Sequence, residues 1–534
     1  MEVASREAIG RGRASHGRAY ALLALFVVGI MLFCTKASPL FVFHDNYDVN
    51  VYLTMGRGMM RGAVPYRDLF EGKGPLLYLL YGLASMVDRT GFLGVFGLIL
   101  LAQWGACVMA YKIADHYLHS PTRSFCVAAC LPLFILENSF YAQYMDYGGG
   151  PPDELMLPLV LGGLYLLLRY RVDTGDAQAK NMCLQGVLAG CVFMMKFPNT
   201  VLWAGLLLPL AVRMAVRGRW KKLLVECGAT LGGFALVALP FVVYLLATGA
   251  LDGFMDASFR YNMQYTSAGM TFAQHLRHTA LKALDFARSY WRYTAVVLFG
   301  FAFLLFQKPR RPLVFAGAAL GFLLLGGVIF WGFVYPYAVI PMMAFSVFAL
   351  VAAFGLIPKA WTQKVPRRAH IPLLAVCLLL LGALIVRQNA LVRSDLFRLG
   401  REPLETVQRQ VAALLRAEGE EEPTLLQVGL QDAGFYTAAG TVPRERFFTT
   451  LNSTYAAYPR ILDAQLASIR AGKNDFVLLT WTPGTLGHLP EEERAIYDAL
   501  FQATEERYEL VRIVEGTALQ AGIPFSLYRL KPEV

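Results

Sequence analysis

The chain is 534 residues long, 56% apolar and only 16% charged, with a mean hydropathy of +0.46. A soluble protein of this length carries roughly a quarter charged residues, so the composition excludes a soluble enzyme and requires a membrane body. The net charge of +11 does not indicate nucleic acid, because the cations cluster in short loops between apolar segments, where they mark topology.

Taken in chain order, Arg6, Arg11, Arg13 and Arg18 precede an apolar run from Tyr20 to Phe43. That run is too long for a signal peptide and lacks a small-residue cleavage site, so it reads as a retained first helix starting in the cytoplasm. The next apolar stretch, Pro75 to Val87, suits an interfacial or re-entrant helix better than a span. With that stretch left out, the spans are 20–43, 91–111, 124–140, 154–168, 182–198, 199–215, 223–248, 293–307, 313–331, 334–357 and 371–388. The inner segments then hold 21 Lys and Arg, and the outer loops 141–153 and 332–333 hold none. Letting 75–87 span would invert every later loop and reverse the positive-inside bias. The expectation is a polytopic α-helical membrane protein of about 11 transmembrane helices. It lies in the plasma (inner) membrane, with the N-terminus cytoplasmic and the C-terminus extracytoplasmic.

Residues 389–534 carry charges throughout and no spanning run, so the chain divides into 1–388 and 389–534. Segments 424–430, 446–451, 476–481, 508–514 and 525–530 read as strands, and 403–417, 459–471 and 491–503 as amphipathic helices. Their alternation predicts a C-terminal soluble α/β domain, suited to substrate docking or to covering a membrane site. All eight cysteines lie in apolar segments without a CxxC pair, which reads as packing.

Ionisable groups at a bilayer edge call for a reason. The first outer loop opens with His44, Asp45 and Asp48 and continues through a Pro-Tyr turn at 65–66 to Arg67, Asp68, Glu71 and Lys73. A carboxylate there can act as a general base toward an acceptor, or hold a divalent cation. Helix-capping Asp residues in a solvated loop are the plain alternative. The second outer loop, GGGPPDE, ends on Asp153 and Glu154, which a helix macrodipole alone would favour. Lys196 sits inside an apolar run near its outer end, where it either snorkels or meets a lipid-borne phosphate, and Lys73 would serve likewise. In the third outer loop His275 and His278 can share a helix face, and Tyr335 and Tyr337 can line a lipid or sugar pocket or belong to the aromatic belt.

Gly62 to Tyr78 (GAVPYRDLFEGKGPLLY), Gly148 to Pro158 (GGGPPDELMLP) and the Lys at the outer end of the fifth span together resemble the GT-C membrane glycosyltransferases. The resemblance is to the family-39-like branch, related to protein O-mannosyltransferases and the lipid A aminoarabinose transferase, and covers roughly the first 200 residues. It implies transfer of a sugar from a polyprenyl-phosphate donor, among membrane lipids, to a glycan, lipid or protein acceptor. It also implies Asp48 as catalytic carboxylate, four residues before Tyr52, with Asp45 second and Asp153 and Glu154 at the second acidic position. Lys73 and Lys196 match the phosphate-binding lysines, with Tyr66, Arg67, Asp68 and Glu71 in the same substrate-binding stretch. The family's frequent Asp-Glu pair is replaced here by Asp48-Val49, which leaves the base and any metal requirement open. A transporter or lipid flippase is the competing class, but no internal repeat is evident.

Overall fold

The computed structural model describes residues 2–137, 148–171, 177–267, 271–307, 311–331, 335–357, 383, 405–417, 422–451, 453–481, 489–517 and 521–532. The membrane body is built from α1 (Glu2–Cys34), α2 (Tyr47–Met60), α3 (Pro75–Val87), α4 (Leu93–Leu118), α5 (Pro121–Glu137), α6 (Pro152–Arg169) and α7 (Ala179–Lys196). It continues with α8 (Val201–Val216), α9 (Trp220–Ala247), α10 (Phe272–Ser289), α11 (Trp291–Gln307), α12 (Pro312–Trp331) and α13 (Ser346–Leu356). Among the described residues six helical stretches are long and apolar enough to cross a bilayer, or seven if α10 and α11, which meet at 101°, form one broken span. The chain is thus a multi-pass membrane protein. Of the eleven expected spans, 371–388 lies outside the described residues except for residue 383. Helix α5 is described only to Glu137, and α6 carries Asp153, Glu154 and Arg169.

One of the six stretches, Ala179–Val216, is broken by a 3-10 turn at Phe197–Thr200, entered through Lys196 in an extended conformation with φ −153°. The backbone of Gln178, ahead of α7, donates to Glu226 near the start of α9, and Gly190 further along packs on Phe234 and Val237. Helices α7 and α9 therefore run parallel and in direct contact, and α8, which links them, runs the opposite way. Gly205 of α8 meets Gly321 of α12, and a Cβ there would lie 2.3 Å from the Gly321 backbone, the small-residue contact by which membrane helices approach closely. Helix α9 turns Leu224, Leu231, Leu239 and Leu246 outward, a face suited to lipid.

The first outer loop departs from expectation. Tyr47–Met60 is a helix, capped by Asn46, whose side chain accepts from Val49 N at 3.1 Å, and nearly every side chain in it is buried. It crosses α3 where Gly56 and Gly82 touch, which leaves no room for a Cβ on either. The thirteen-residue α3 is too short to span and buries Tyr78 and Tyr81 against α2.

Beyond the membrane body, β1 (Leu425–Val428), β2 (Phe476–Leu479), β3 (Tyr508–Glu515) and β4 (Pro524–Leu530) form one sheet in the order β1-β2-β4-β3. The β1–β2 pair is parallel and the other two pairs are antiparallel. Helices Val407–Ala417, Arg460–Arg470 and Glu491–Arg507 accompany it. Strands β1 and β2 are buried at every residue, as strands covered on both faces are. Segment 446–451, expected as a strand, is irregular: its carbonyls are shared out, that of Arg446 accepting from Phe70 N at 2.9 Å, that of Phe447 from the Gln465 amide at 3.0 Å and that of Phe448 from Gln427 N at 3.4 Å and the Tyr436 hydroxyl at 2.6 Å.

Candidate active site

The glycine run ahead of α6 is a hub. Gly148, Gly149 and Gly150 have φ of +91°, +82° and +91°, a left-handed series that only glycine adopts without strain. The Gly148 carbonyl accepts from Lys36 N (2.9 Å) and the Thr35 hydroxyl (2.5 Å) at the end of α1. The Gly149 carbonyl faces His44 Nε2 at 2.9 Å, and the Gly150 carbonyl accepts from the Tyr81 hydroxyl on α3. Glu154 closes the loop by accepting from Gly150 N at 2.8 Å and from Gln103 at 2.6 Å. Asp45 meets Lys36 at 2.6 Å, both buried. Asp45 and Glu154 are thus placed inside this hub and do not line the cavity described next.

Lys73 and Lys196 are brought together by a backbone contact. Gly74 N donates to the Met195 carbonyl at 3.0 Å, and a Cβ on Gly74 would lie 2.1 Å from the Met194 carbonyl oxygen. The start of α3 is thereby pressed on the end of α7. Both lysines line one cavity of about 580 Å³, with Asn199, Trp331, Tyr335 and Tyr337. The rest of its wall is largely apolar and includes Met263, Leu276 and Leu323, which are themselves 68%, 56% and 67% exposed, so the cavity reaches the lipid-facing surface. Gly74→Ala is expected to force the two segments apart, at a cost of about 1–3 kcal/mol, read as a lower melting temperature in detergent. An unchanged melting temperature would contradict the contact.

Each lysine has a carboxylate partner. Lys196 Nζ lies 2.8 Å from both oxygens of Asp153, which is fully buried in the first turn of α6, and Asn199 donates to the same carboxylate at 3.2 Å. Lys73 Nζ lies 3.4 Å from Glu71, whose carboxylate also accepts from Lys73 N at 2.8 Å and from the Tyr78 hydroxyl. Burial works against the Lys73 ammonium, but Glu71, Asp48 and Asp153 around it hold its pKa above the ordinary lysine value. An ammonium carries three donors, so each lysine keeps a donor for a ligand in the cavity.

Asp48 stands in the first turn of α2. Its two oxygens are held from opposite directions: the Tyr337 hydroxyl donates to Oδ2 at 2.8 Å and the Gln431 amide to Oδ1 at 3.2 Å. Tyr337 also lines the cavity, and its ring lies 5.6 Å from Lys196 Nζ. Carboxylate, aromatic hydroxyl and cations therefore form one continuous arrangement. Among the described residues no three His, Cys, Asp or Glu side chains lie close enough to hold a metal ion.

Tyr66, Arg67 and Asp68 stand apart from the cavity. Tyr66 has a strained positive φ of 71°, and its hydroxyl donates to the Lys73 carbonyl at 2.7 Å, so it shapes the turn that delivers Lys73. Arg67 and Asp68 form a largely exposed pair with contacts of 2.8 Å, and Arg67 reaches the Thr248 carbonyl at 3.1 Å. His275 stacks on Trp331 at 5.0 Å.

The C-terminal unit is docked over α2 and the first loop. The Thr54 hydroxyl donates to Asp432 at 2.7 Å, and Arg57 to the Tyr436 carbonyl at 3.1 Å. On the far side Asp256 receives the Tyr458 hydroxyl at 2.8 Å, with Arg460 at 3.4 Å and Arg446 at 3.7 Å. Burial pushes the Asp432 carboxyl up to about 6, against the opposing pull of hydrogen bonds from Thr54 and Gly434 and of Arg57. Its folded pKa thus exceeds that of an unfolded Asp, about 3.9, and the native state holds the proton more tightly. Stability from this group is full below pH about 4, falls as pH rises to about 6 and is flat beyond, a loss on the order of 3 kcal/mol. Asp432→Asn is expected to flatten the melting-temperature profile in that window. A wild-type slope in the variant would refute the assignment.

The family profile described as "Putative competence-induced protein Ccs4 N-terminal domain" matches residues 13–370. No curated protein matches the chain. Among solved structures, ArnT from Cupriavidus metallidurans bound to undecaprenyl phosphate is similar at a TM-score of 0.56 and 12% identity, over 96% of this chain and 99% of that one. The Archaeoglobus fulgidus oligosaccharyltransferase AglB, in complex with an inhibitory peptide and a dolichol-phosphate, is similar at 0.53 and 12% identity, over 93% and 72%. Both are membrane glycosyltransferases of the GT-C superfamily, and the fold of this chain is the GT-C fold.

Proposed function

The chain belongs to the competence-induced protein Ccs4 N-terminal domain family, and from that premise and the cavity's geometry we propose that it is a membrane glycosyltransferase. It moves a sugar from a polyprenyl-phosphate carrier to an acceptor on the extracytoplasmic face. In this reading residues 1–388 are the catalytic membrane module and 389–534 an extracytoplasmic α/β domain. The observation that carries it is the convergence of Lys73 and Lys196 on one lipid-facing cavity whose Tyr337 bonds to Asp48. The undecaprenyl phosphate and dolichol-phosphate bound by the two structural relatives support a polyprenyl phosphate as the ligand class.

The apolar wall takes the prenyl chain, and the two ammonium groups face the phosphate. The acceptor oxygen or nitrogen attacks the anomeric carbon as the carbon–oxygen bond to phosphate breaks, and that electron pair goes to the phosphate oxygen. The phosphodiester monoanion leaves as a monoester with a second negative charge, which Lys73 and Lys196 are positioned to stabilise. The acceptor's proton passes to the Asp48 carboxylate, and attack on the face opposite the leaving phosphate inverts the sugar centre. Stacked Tyr335 and Tyr337, 5.6 Å apart, offer aromatic faces to the sugar.

The test uses the full chain in proteoliposomes with a panel of radiolabelled undecaprenyl-phosphate sugars and a membrane acceptor extract. Label is expected to leave the carrier. Movement of intact carrier across the bilayer without transfer would overturn the proposal in favour of a flippase.

A further inference from the structure

We infer that Gln431, in the C-terminal unit, is a positioning residue for the reaction, so that the catalytic carboxylate is completed only when that unit is docked on the membrane body. The inference rests on the reading of Asp48 given above. Asp48 lies on α2 and Gln431 lies 383 positions later, yet the Gln431 Nε2 donates to Asp48 Oδ1 at 3.2 Å. Tyr337 already restrains Oδ2 at 2.8 Å, so Gln431 supplies the second restraint that sets the plane of the carboxylate. A base held at one oxygen alone can rotate about its side-chain torsions, and a positional error near 1 Å costs about 10²-fold in rate.

The turn that presents Gln431 is rigid for reasons visible on both sides of it. Behind it, Gln427 at the end of β1 is fully buried and its side-chain amide donates to the Gln431 carbonyl at 3.0 Å. Ahead of it, Asp432 is pinned by the Thr54 hydroxyl at 2.7 Å and by Gly434 N at 2.8 Å. Gly434 has φ +100°, and a Cβ there would lie 2.6 Å from the Phe43 ring, so the turn is seated directly on the segment that follows α1. Thr54 and Asp48 are both on α2, which ties the position of Gln431 to the helix bearing the base. The unit is therefore a structural part of the site, and its undocking removes one of the two restraints on the carboxylate.

The experiment compares Gln431→Ala, Gln431→Glu, Asp48→Asn and Asp48→Asn/Gln431→Ala in the full chain, with Tyr458→Phe, which removes a single hydrogen bond to Asp256 and leaves the other contacts of the unit in place, as the control. Loss of a hydrogen bond to a charged group predicts a fall in kcat of about 10- to 100-fold for Gln431→Ala. The KM for the lipid-linked sugar should be unchanged. Gln431→Glu, nearly isosteric but placing a second carboxylate beside Asp48, is expected to lose more than Gln431→Ala; a purely structural side chain would give the reverse order. In the Asp48→Asn background Gln431→Ala should cause no further loss of the residual rate, and Tyr458→Phe should leave kcat within threefold. A wild-type kcat for Gln431→Ala, the reverse order of the two variants, or an equal further loss in the Asp48→Asn background would overturn the inference. Full activity of Asp48→Asn would instead overturn the parent reading, so the two failures are distinguishable.

Discussion

Asp48→Asn is expected to lower kcat by about 10²–10⁴-fold, the usual contribution of a positioned general base. The substitution preserves shape and leaves an oxygen to accept from Tyr337, so the melting temperature and the KM for the lipid-linked donor should change little. Asp45→Asn provides the contrast. Asp45 is committed to Lys36 at 2.6 Å in a buried pair, and removing it strands the ammonium. That variant should therefore lose stability while the fraction that stays folded retains its turnover. Transfer by Asp48→Asn within threefold of wild type would end the assignment of Asp48 as the base. Loss of turnover without loss of stability in Asp45→Asn would shift the role to Asp45.

Lys196→Ala is expected to fail twice, once in stability and once in chemistry. The ammonium that lies 2.8 Å from Asp153 disappears, leaving a carboxylate with no exposed surface and the neutral Asn199 amide at 3.2 Å. Breaking a buried pair by removing one partner costs about 3–5 kcal/mol. Lys196→Ala/Asp153→Asn removes the stranded charge and should regain most of the melting temperature. It should not regain transfer, because the phosphate then meets one cation instead of two, and loss of such electrostatic assistance costs about 10²–10³-fold. Recovery of activity together with stability in the double variant would show that Lys196 serves only to hold Asp153.

The membrane class, the short α3 and the identity of the charged candidates were legible in the sequence because hydropathy and loop charge are local properties. Lys73 and Lys196 could be singled out as cations at the edge of apolar runs, and the structure sets both in one cavity wall. Helix α2 could not be read. The segment YDVNVYLTMGRGMM has polar residues at too many positions for an amphipathic pattern, and it is helical because α3 and the C-terminal unit bury it from two sides. Segment 446–451 failed in the opposite sense: its aromatic and β-branched residues suit a strand, but its carbonyls are taken singly by Phe70, by Gln427 and by the Gln465 and Tyr436 side chains.

What the sequence determined by itself was therefore a multi-pass chain with a charged C-terminal region, and a set of acids and lysines near the ends of its apolar runs. Only the tertiary structure shows what faces each of those acids. Asp45, Asp153 and Glu154 are closed into pairs with Lys36, Lys196 and Gln103, while Asp48 is held by two neutral donors beside a cavity. The physical reason is that a carboxylate's chemistry depends on what faces it after folding. For Asp48 one of those neighbours, Gln431, lies 383 residues away, beyond the reach of any pattern of spacing.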